Sequence, residues 1–266
     1  MTVVFLGGGR ITSAILAGLR LHKAKAKSKD RFVVHDLDPA RLRDLKKNYG
    51  VAIEPDLRSA IRRADLLIVA VRPDSLSELL RSIGKVDRPL LFVSLAAGVP
   101  LRRLSAMLGT PARWARAMPS PVCRSGRGLT ALTFSRNLRQ RDRQRVRNLF
   151  ASLGQVVEIP ERKFDAFTVI YSSSHGYHAL ATLAQTAQKI GLNRKTALLA
   201  SAHALADGIL AWRESGLSLK SLLREAATPG GIAAATMAGM DAAGYRRAVR
   251  EGVQSGLRRA RANARK

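Results

Sequence analysis

Val3-Val4-Phe5-Leu6-Gly7-Gly8-Gly9-Arg10-Ile11-Thr12 is the stretch that decides the fold. Val3 to Leu6 is an unbroken apolar run ending in glycine, the pattern of a strand buried on both faces. Beyond the glycines, Ile11, Ile15, Leu16 and Leu19 recur at helical spacing. A glycine turn between a strand and a helix gathers unpaired N–H groups and the positive end of the helix dipole at one point, where an anion is favoured. In this reading Gly7 makes the tight turn, Gly9 lets a pyrophosphate approach the backbone, and Arg10 and Ile11 open the helix beside it. Thr12 stands where the dinucleotide fingerprint G-x-G-x-x-G/A has a smaller residue. A glycine turn without a ligand remains the alternative on these residues alone.

Strand and helix signals alternate outward from this point. Phe32-Val33-Val34 reads as a second strand, with Pro39 at a helix start and Leu42 and Leu45 on one helix face. Leu66 to Val71 reads as a third strand with a helix from about Ser75 to Ile83. Leu90 to Ala97 reads as a fourth, followed by the short segment Leu101 to Leu108, and Arg113 to Met118 and Thr130 to Phe134 as further strands. This alternation predicts an α/β fold, with a Rossmann-type parallel sheet covered on both faces over residues 1–160. From there the chain turns rich in Ala and Leu. Ala179 to Ile190, Lys195 to Trp212 and Leu217 to Ala227 read as helices, with Gly191 and Gly216 near their C-caps. Pro229-Gly230-Gly231 breaks the pattern, and one last helix is expected from Ile232 towards the tail. Residues 161–266 are therefore expected to form an all-helical domain. Several of its helices are apolar around most of their circumference and need burial on all sides. That predicts a dimerisation domain in a homodimer or a higher homo-oligomer.

The composition agrees with a folded chain. At 266 residues, 46% hydrophobic and 24% charged, it can bury a core, which excludes disorder. The net charge is +27. Basic residues cluster from Arg20 to Arg31, from Arg136 to Arg147, and from Arg246 to Lys266. Aromatics make up only 5% and do not interleave with these clusters, so base-stacking platforms are poorly supported. Solvated basic faces are the expectation, and nucleic acid is not an expected partner. Cys123 stands alone, which excludes an internal disulfide and a cysteine-rich metal site, and it reads as structural. The glycines follow the first strand too closely for a secretory leader, and Pro89 to Leu101 is too short and too broken to span a membrane. A cytoplasmic protein without membrane contact is expected.

The end of the second strand bears on the cofactor. Asp36 lies just past Val34, where a carboxylate accepts hydrogen bonds from ribose hydroxyls and repels a 2′-phosphate. Leu37 follows where a phosphate binder would often place Arg. The reading favours NAD, with NADP possible: Arg41 and His35 are near, and Asp36 could instead cap the next helix.

At this point the chain resembles the pyrroline-5-carboxylate reductase family over nearly its whole length. Val4-Phe5-Leu6-Gly7-Gly8-Gly9 is similar to that family's I-G-F-I-G-x-G-N-M-A start, with Arg10 in place of Asn. Ala70-Val71-Arg72-Pro73 matches A-V-K-P, Val93-Ser94-Leu95-Ala96-Ala97-Gly98-Val99 matches V-S-I-A-A-G-V, and Arg116-Ala117-Met118-Pro119-Ser120 matches R-x-M-P-N. Asp165-Ala166-Phe167-Thr168 matches D-A-V-T, and Thr228-Pro229-Gly230-Gly231 matches S-P-G-G. The resemblance implies a Rossmann domain with a helical dimerisation domain, reducing a small cyclic imino acid to proline with NAD(P)H. It implies that Val71, Arg72, Pro73, Ala96, Ala97 and Ser120 join Gly7, Gly9, Arg10, Ile11 and Asp36 around the cofactor. Met118, Pro119, Ser173, Ser174, Thr228, Gly230 and Gly231 are implied for the substrate, whose carboxylate needs N–H groups and hydroxyls at glycine turns.

The departures cluster in the substrate loops. The family's S-G-S-G-P-A-Y reads Tyr171-Ser172-Ser173-Ser174-His175-Gly176-Tyr177, and the two threonines after S-P-G-G are Ile232 and Ala233. Ser173 and His175 are the expected catalytic residues. His175, at a helix start, can relay a proton to a product amine, or it is an ordinary interfacial or core histidine. Tyr171 is equally ambiguous, and His178 and His203 read as packing residues. Two rival functions follow: a reductase of the same architecture acting on another imine or a keto acid, and a non-catalytic nucleotide- or nucleic-acid-binding protein.

Overall fold

The structure, a computed structural model, describes residues 1–25 and 30–265, the side chains of residues 23–25 excepted. Lys23, Lys25, Lys27 and Lys29 of the first basic cluster thus lie outside the described side chains, as does Lys266. By its internal contacts the described chain forms two units, residues 1–171 together with 255–265, and Ser172–Gln254.

The first unit opens with β1 (Thr2–Leu6), α1 (Arg10–Lys25), β2 (Arg31–His35) and α2 (Pro39–Tyr49). Then follow β3 (Ala52–Ile53), α3 (Leu57–Arg63), β4 (Leu66–Val69), α4 (Pro73–Ile83), β5 (Leu91–Ser94) and α5 (Leu101–Leu108). Strand β6 (Arg113–Pro119) passes through a 3-10 turn (Pro121–Ser125) into β7 (Gly128–Phe134), α6 (Gln140–Ala151), β8 (Gly154–Glu158) and α7 (Glu161–Ile170). Among the described residues the eight strands form one sheet in the order β3-β2-β1-β4-β5-β6-β7-β8. Alternate residues of β1 serve opposite faces. Val3 and Phe5 pack with Ile15, Leu16, Leu42, Leu45 and Phe150, while Val4 and Leu6 pack with Leu67, Leu80, Phe92, Leu104 and Trp114.

The expected parallel sheet is there, and the structure refines the reading in three places. The sheet is not wholly parallel: β7 runs antiparallel to β6, and β8 follows β7. The connection between β6 and β7 is a single 3-10 turn, too short for the crossover that a parallel return needs. Elements β3, α3, α6 and β8 were not legible. In α6 the arginines mask a short apolar stripe, Val146, Leu149 and Phe150, all buried. That arginine cluster is also more than a solvated face. Buried Asp142 pairs with Arg113 and Arg145, and Glu158 pairs with Arg147 at 2.5 Å.

The expected boundary after residue 160 coincides with the start of α7. By contacts, however, α7 stays with the sheet because Phe164 is buried and Glu161 and Asp165 reach the buried Arg116 of β6 at 3.4 and 3.1 Å.

The second unit is helical: α8 (Ser174–Lys189), α9 (Arg194–Ser215), α10 (Leu219–Ala226), α11 (Ile232–Ala242) and the first half of α12 (Tyr245–Asn263). The single terminal helix expected from Ile232 is two, broken at Gly244, whose φ is +84°. The helices expected to be enclosed are not buried within one chain. Leu198, Leu199, Ile209, Leu210, Trp212, Leu223 and Met240 are all exposed. Among the described residues no helix is long and apolar enough to cross a membrane.

The last turns of α12 return to the first unit. Ala260 is buried, the Asn263 amide donates to the Ala97 carbonyl at 3.2 Å, and Arg103 donates to the Ala264 carbonyl. This part of the basic tail is a packing element.

Candidate active site

The sheet order reverses between β1 and β4, and open α/β sheets hold ligands at the carboxyl ends of strands at such a point. Gly7 leaves β1 there with φ +106°, and a Cβ on it would stand 2.9 Å from the Ala70 carbonyl beyond β4. A side chain is therefore excluded on both steric and conformational grounds. Thr12 in the third small position is accounted for: it is fully buried and its hydroxyl donates to the Gly7 carbonyl at 2.6 Å. A Cβ on Gly9 would meet nothing within 4 Å. The loop thus leaves open space where its backbone faces outward at the start of α1, as a bound pyrophosphate requires.

Gly8 couples this loop to the end of β2. Its N–H donates to the Asp36 carboxylate at 2.6 Å, and the Asp38 N–H donates to the other Asp36 oxygen at 2.9 Å. Arg41 of α2 completes the group, 3.2 Å from Asp36. Burial acts to raise the Asp36 carboxyl, but the N–H groups of Gly8 and Asp38 and the Arg41 guanidinium outweigh it and hold the group below the usual carboxylate range. The helix cap considered for Asp36 is supplied by Asp38, whose carboxylate accepts from the Ala40 and Arg41 N–H groups. His35 is buried, with Nδ1 3.0 Å from the Glu54 carbonyl.

The parallel register of β4, β5 and β6 brings other expected residues to the same edge. Val71, exposed Arg72 and Pro73 form the turn into α4. The buried Ser94 hydroxyl accepts the Ala96 N–H at 3.2 Å, ahead of Ala97. Met118 and Pro119 end β6, and the buried Ser120 hydroxyl accepts the Val122 N–H at 3.3 Å. Tyr171, ambiguous in the sequence, has a defined place: its hydroxyl accepts the Leu129 N–H at 2.7 Å and donates to Ser120 at 3.2 Å. Cys123 is buried in this turn, and burial pushes its thiol up to about 11, so it is a packing residue and not a thiolate nucleophile.

The second unit carries the other expected residues. Ser172 and Ser174 share a 2.7 Å hydroxyl contact around Ser173, which precedes α8. His175 and Ser173 are exposed on this chain, and the His175 N–H donates to the Ser172 carbonyl at 3.2 Å. Thr228 to Gly231 form a tight turn before α11: the Gly231 N–H meets the Thr228 carbonyl at 2.9 Å, and Gly230 has φ +75°. His178 and His203 are not packing residues within the chain. Both are exposed, and His203 lies 3.1 Å from Asp207.

Comparison with known proteins adds a second line of support. Residues 2–98 match the family model described as NADP oxidoreductase, coenzyme F420-dependent, and residues 161–263 match the one described as pyrroline-5-carboxylate reductase dimerisation. A pyrroline-5-carboxylate reductase of Synechocystis is 32% identical over 96% of this chain and 95% of its own length. The chain belongs to the pyrroline-5-carboxylate reductase family. A second member, from Thermus thermophilus, is 32% identical over 97% of each chain. Among solved structures, the Streptococcus pyogenes reductase superposes with a TM-score of 0.88 at 23% identity, covering 98% of both chains. The Plasmodium falciparum pyrroline carboxylate reductase with NADP bound superposes at 0.86 and 21% identity, covering 99% of this chain and 98% of its own. These two likenesses establish the fold of this family member, an NAD(P)H-dependent oxidoreductase by descent.

Proposed function

We propose that this reductase transfers hydride from NAD(P)H to the C=N carbon of pyrroline-5-carboxylate, giving proline. The observation that carries the reading is the glycine loop at the switch point. Gly7 is pinned under Ala70, and the position of Gly9 is open, so a dinucleotide fits the residues present. Gly7, Gly9, Arg10 and Ile11 would hold the pyrophosphate, Asp36 the adenosine ribose, and the turns Val71-Arg72-Pro73, Ala96-Ala97 and Ser120 the rest of the molecule. The nicotinamide supplies the hydride. The protein's part is to hold the imine in line and exclude water.

A protonated imine is already electrophilic, so the site needs no strong acid. It needs donors for a carboxylate, and the hydroxyls of Ser173 and Ser174 and the turn Thr228-Pro229-Gly230-Gly231 are suited to that; Met118 and Pro119 are also assigned to the substrate. His175 is assigned to returning a proton to the product amine. The exposed apolar helices of the second unit, with the dimerisation model matched there, support a homodimer in which a second copy covers them. A cytoplasmic setting fits a cofactor of that kind.

The replaced loop, with His175 for Pro and Ala233 for Thr, favours one second reading: a reductase of the same architecture acting on another imine or a keto acid. Steady-state assays of pyrroline-5-carboxylate with NADH and with NADPH, on wild type and Ser173→Ala, test the proposal. Turnover lost on Ser173→Ala supports it. No turnover by wild type with either cofactor overturns it.

A further inference from the structure

From the sequence Asp36 reads as a carboxylate that accepts from a ribose and repels a 2′-phosphate, with Arg41 near and NADP still possible. In the structure both of its oxygens are already bonded to backbone N–H groups, and its charge is matched by Arg41 at 3.2 Å. The stem of Arg41 is pressed on the glycine loop: a Cβ on Gly8 would lie 3.2 and 3.3 Å from its Cδ and Cγ. The guanidinium is thereby delivered over the seam between the loop and the end of β2, although it starts from a helix. Arg41 remains 47% exposed, and both of its carboxylate partners, Asp36 and Asp38, lie in the turn that precedes or opens α2. It can exchange one anion for another without unpacking the core.

A 2′-phosphate brought beside Asp36 would add close to two negative charges next to a carboxylate. Asp36 cannot relieve that repulsion by taking a proton at neutral pH, because its N–H partners and Arg41 keep it ionised. Leu37, 90% exposed, offers no donor, and the ring of His35 is buried with its Nδ1 against the Glu54 carbonyl. A cation is required, and among the described residues Arg41 stands at that spot.

We infer that Arg41 sets the cofactor choice of this reductase: it pairs with Asp36 when the adenosine ribose carries a 2′-hydroxyl and turns to the phosphate when it carries a 2′-phosphate. The inference rests on the dinucleotide reading of the glycine loop.

Direct binding tests it without turnover. Titration calorimetry with NADH, NADPH, ADP and 2′,5′-ADP is run on wild type, Arg41→Gln and Arg41→Ala, with thermal unfolding of each variant as the check on folding. Arg41→Gln keeps the stem that covers Gly8. Losing a charge-assisted contact to phosphate is expected to weaken NADPH and 2′,5′-ADP by about tenfold or more. NADH and ADP should change by less than about threefold, as expected for an exposed pair. If the Arg41 variants move both cofactors alike, or neither, the inference is overturned while the dinucleotide reading stands. If wild type binds none of the four, the underlying reading falls and the inference with it.

Discussion

A Cβ on Gly98 would overlap the carbonyl oxygen of Ala260, far along the chain. The turn after β5 and the last turns of α12 are thus in backbone contact, with the Asn263 amide on Ala97 beside them. Gly98 also has φ +80°, a conformation that L side chains rarely adopt. Gly98→Ala is expected to cost about 2–4 kcal/mol, combining backbone strain with overpacking. Urea unfolding of the purified variant measures it, and a loss below about 0.5 kcal/mol would show that the helix does not seat there.

The glycine loop separates folding from binding. Gly7→Ala forces a Cβ against the Ala70 carbonyl at positive φ, so it should lower stability as well as cofactor affinity. Gly9→Ala meets nothing in the protein, so its thermal midpoint should stay near that of wild type. Its NAD(P)H affinity should still fall by about tenfold or more, since the methyl group enters the space assigned to the pyrophosphate. Fluorescence titration and thermal unfolding of the pair distinguish the two effects.

Cys123 predicts a pH dependence. Its thiol is raised from 9.0 to about 11 in the fold, so the unfolded chain loses this proton first. The stability it contributes is complete below pH 9.0 and is lost as the pH rises towards about 11. Cys123→Ala should therefore flatten the alkaline limb of a stability-against-pH curve. In the native protein the thiol should resist an aromatic disulfide reagent at pH 8 and react only on unfolding.

Arg116 is buried while its partners Glu161 and Asp165 are about one-third exposed. Removing the arginine leaves carboxylates that water can reach, so Arg116→Met should cost only about 2 kcal/mol. Removing both carboxylates as Glu161→Gln with Asp165→Asn strands a buried cation and should cost more, about 3–5 kcal/mol. The order of these two losses in chemical denaturation is the test. The same network holds the N-terminus of α5, since Glu161 accepts the Leu101 N–H at 2.6 Å.

Val3 to Gly9 carried the decisive local information. The apolar strand, the glycine turn and the helix that follows depend on residues adjacent in the chain, and they fold as read. The same holds for α2, with Pro39 at its start and Leu42 and Leu45 on its buried face, and for the family pattern spread along the chain. Local rules reached their limit where a polar sequence hid a stripe, as in α6, and where the direction of a strand hung on the length of one turn, as at β7.

Tertiary structure alone decided the partners. That Asp36 is claimed by Gly8 and Arg41, that Tyr171 serves Ser120 and Leu129, and that Ala260 rests on Gly98 are relations between residues 5 to 162 positions apart. Sequence spacing carries no distance of that kind. It shows which side chains can donate, accept or pack, and only the assembled sheet with its helices fixes which of them meet.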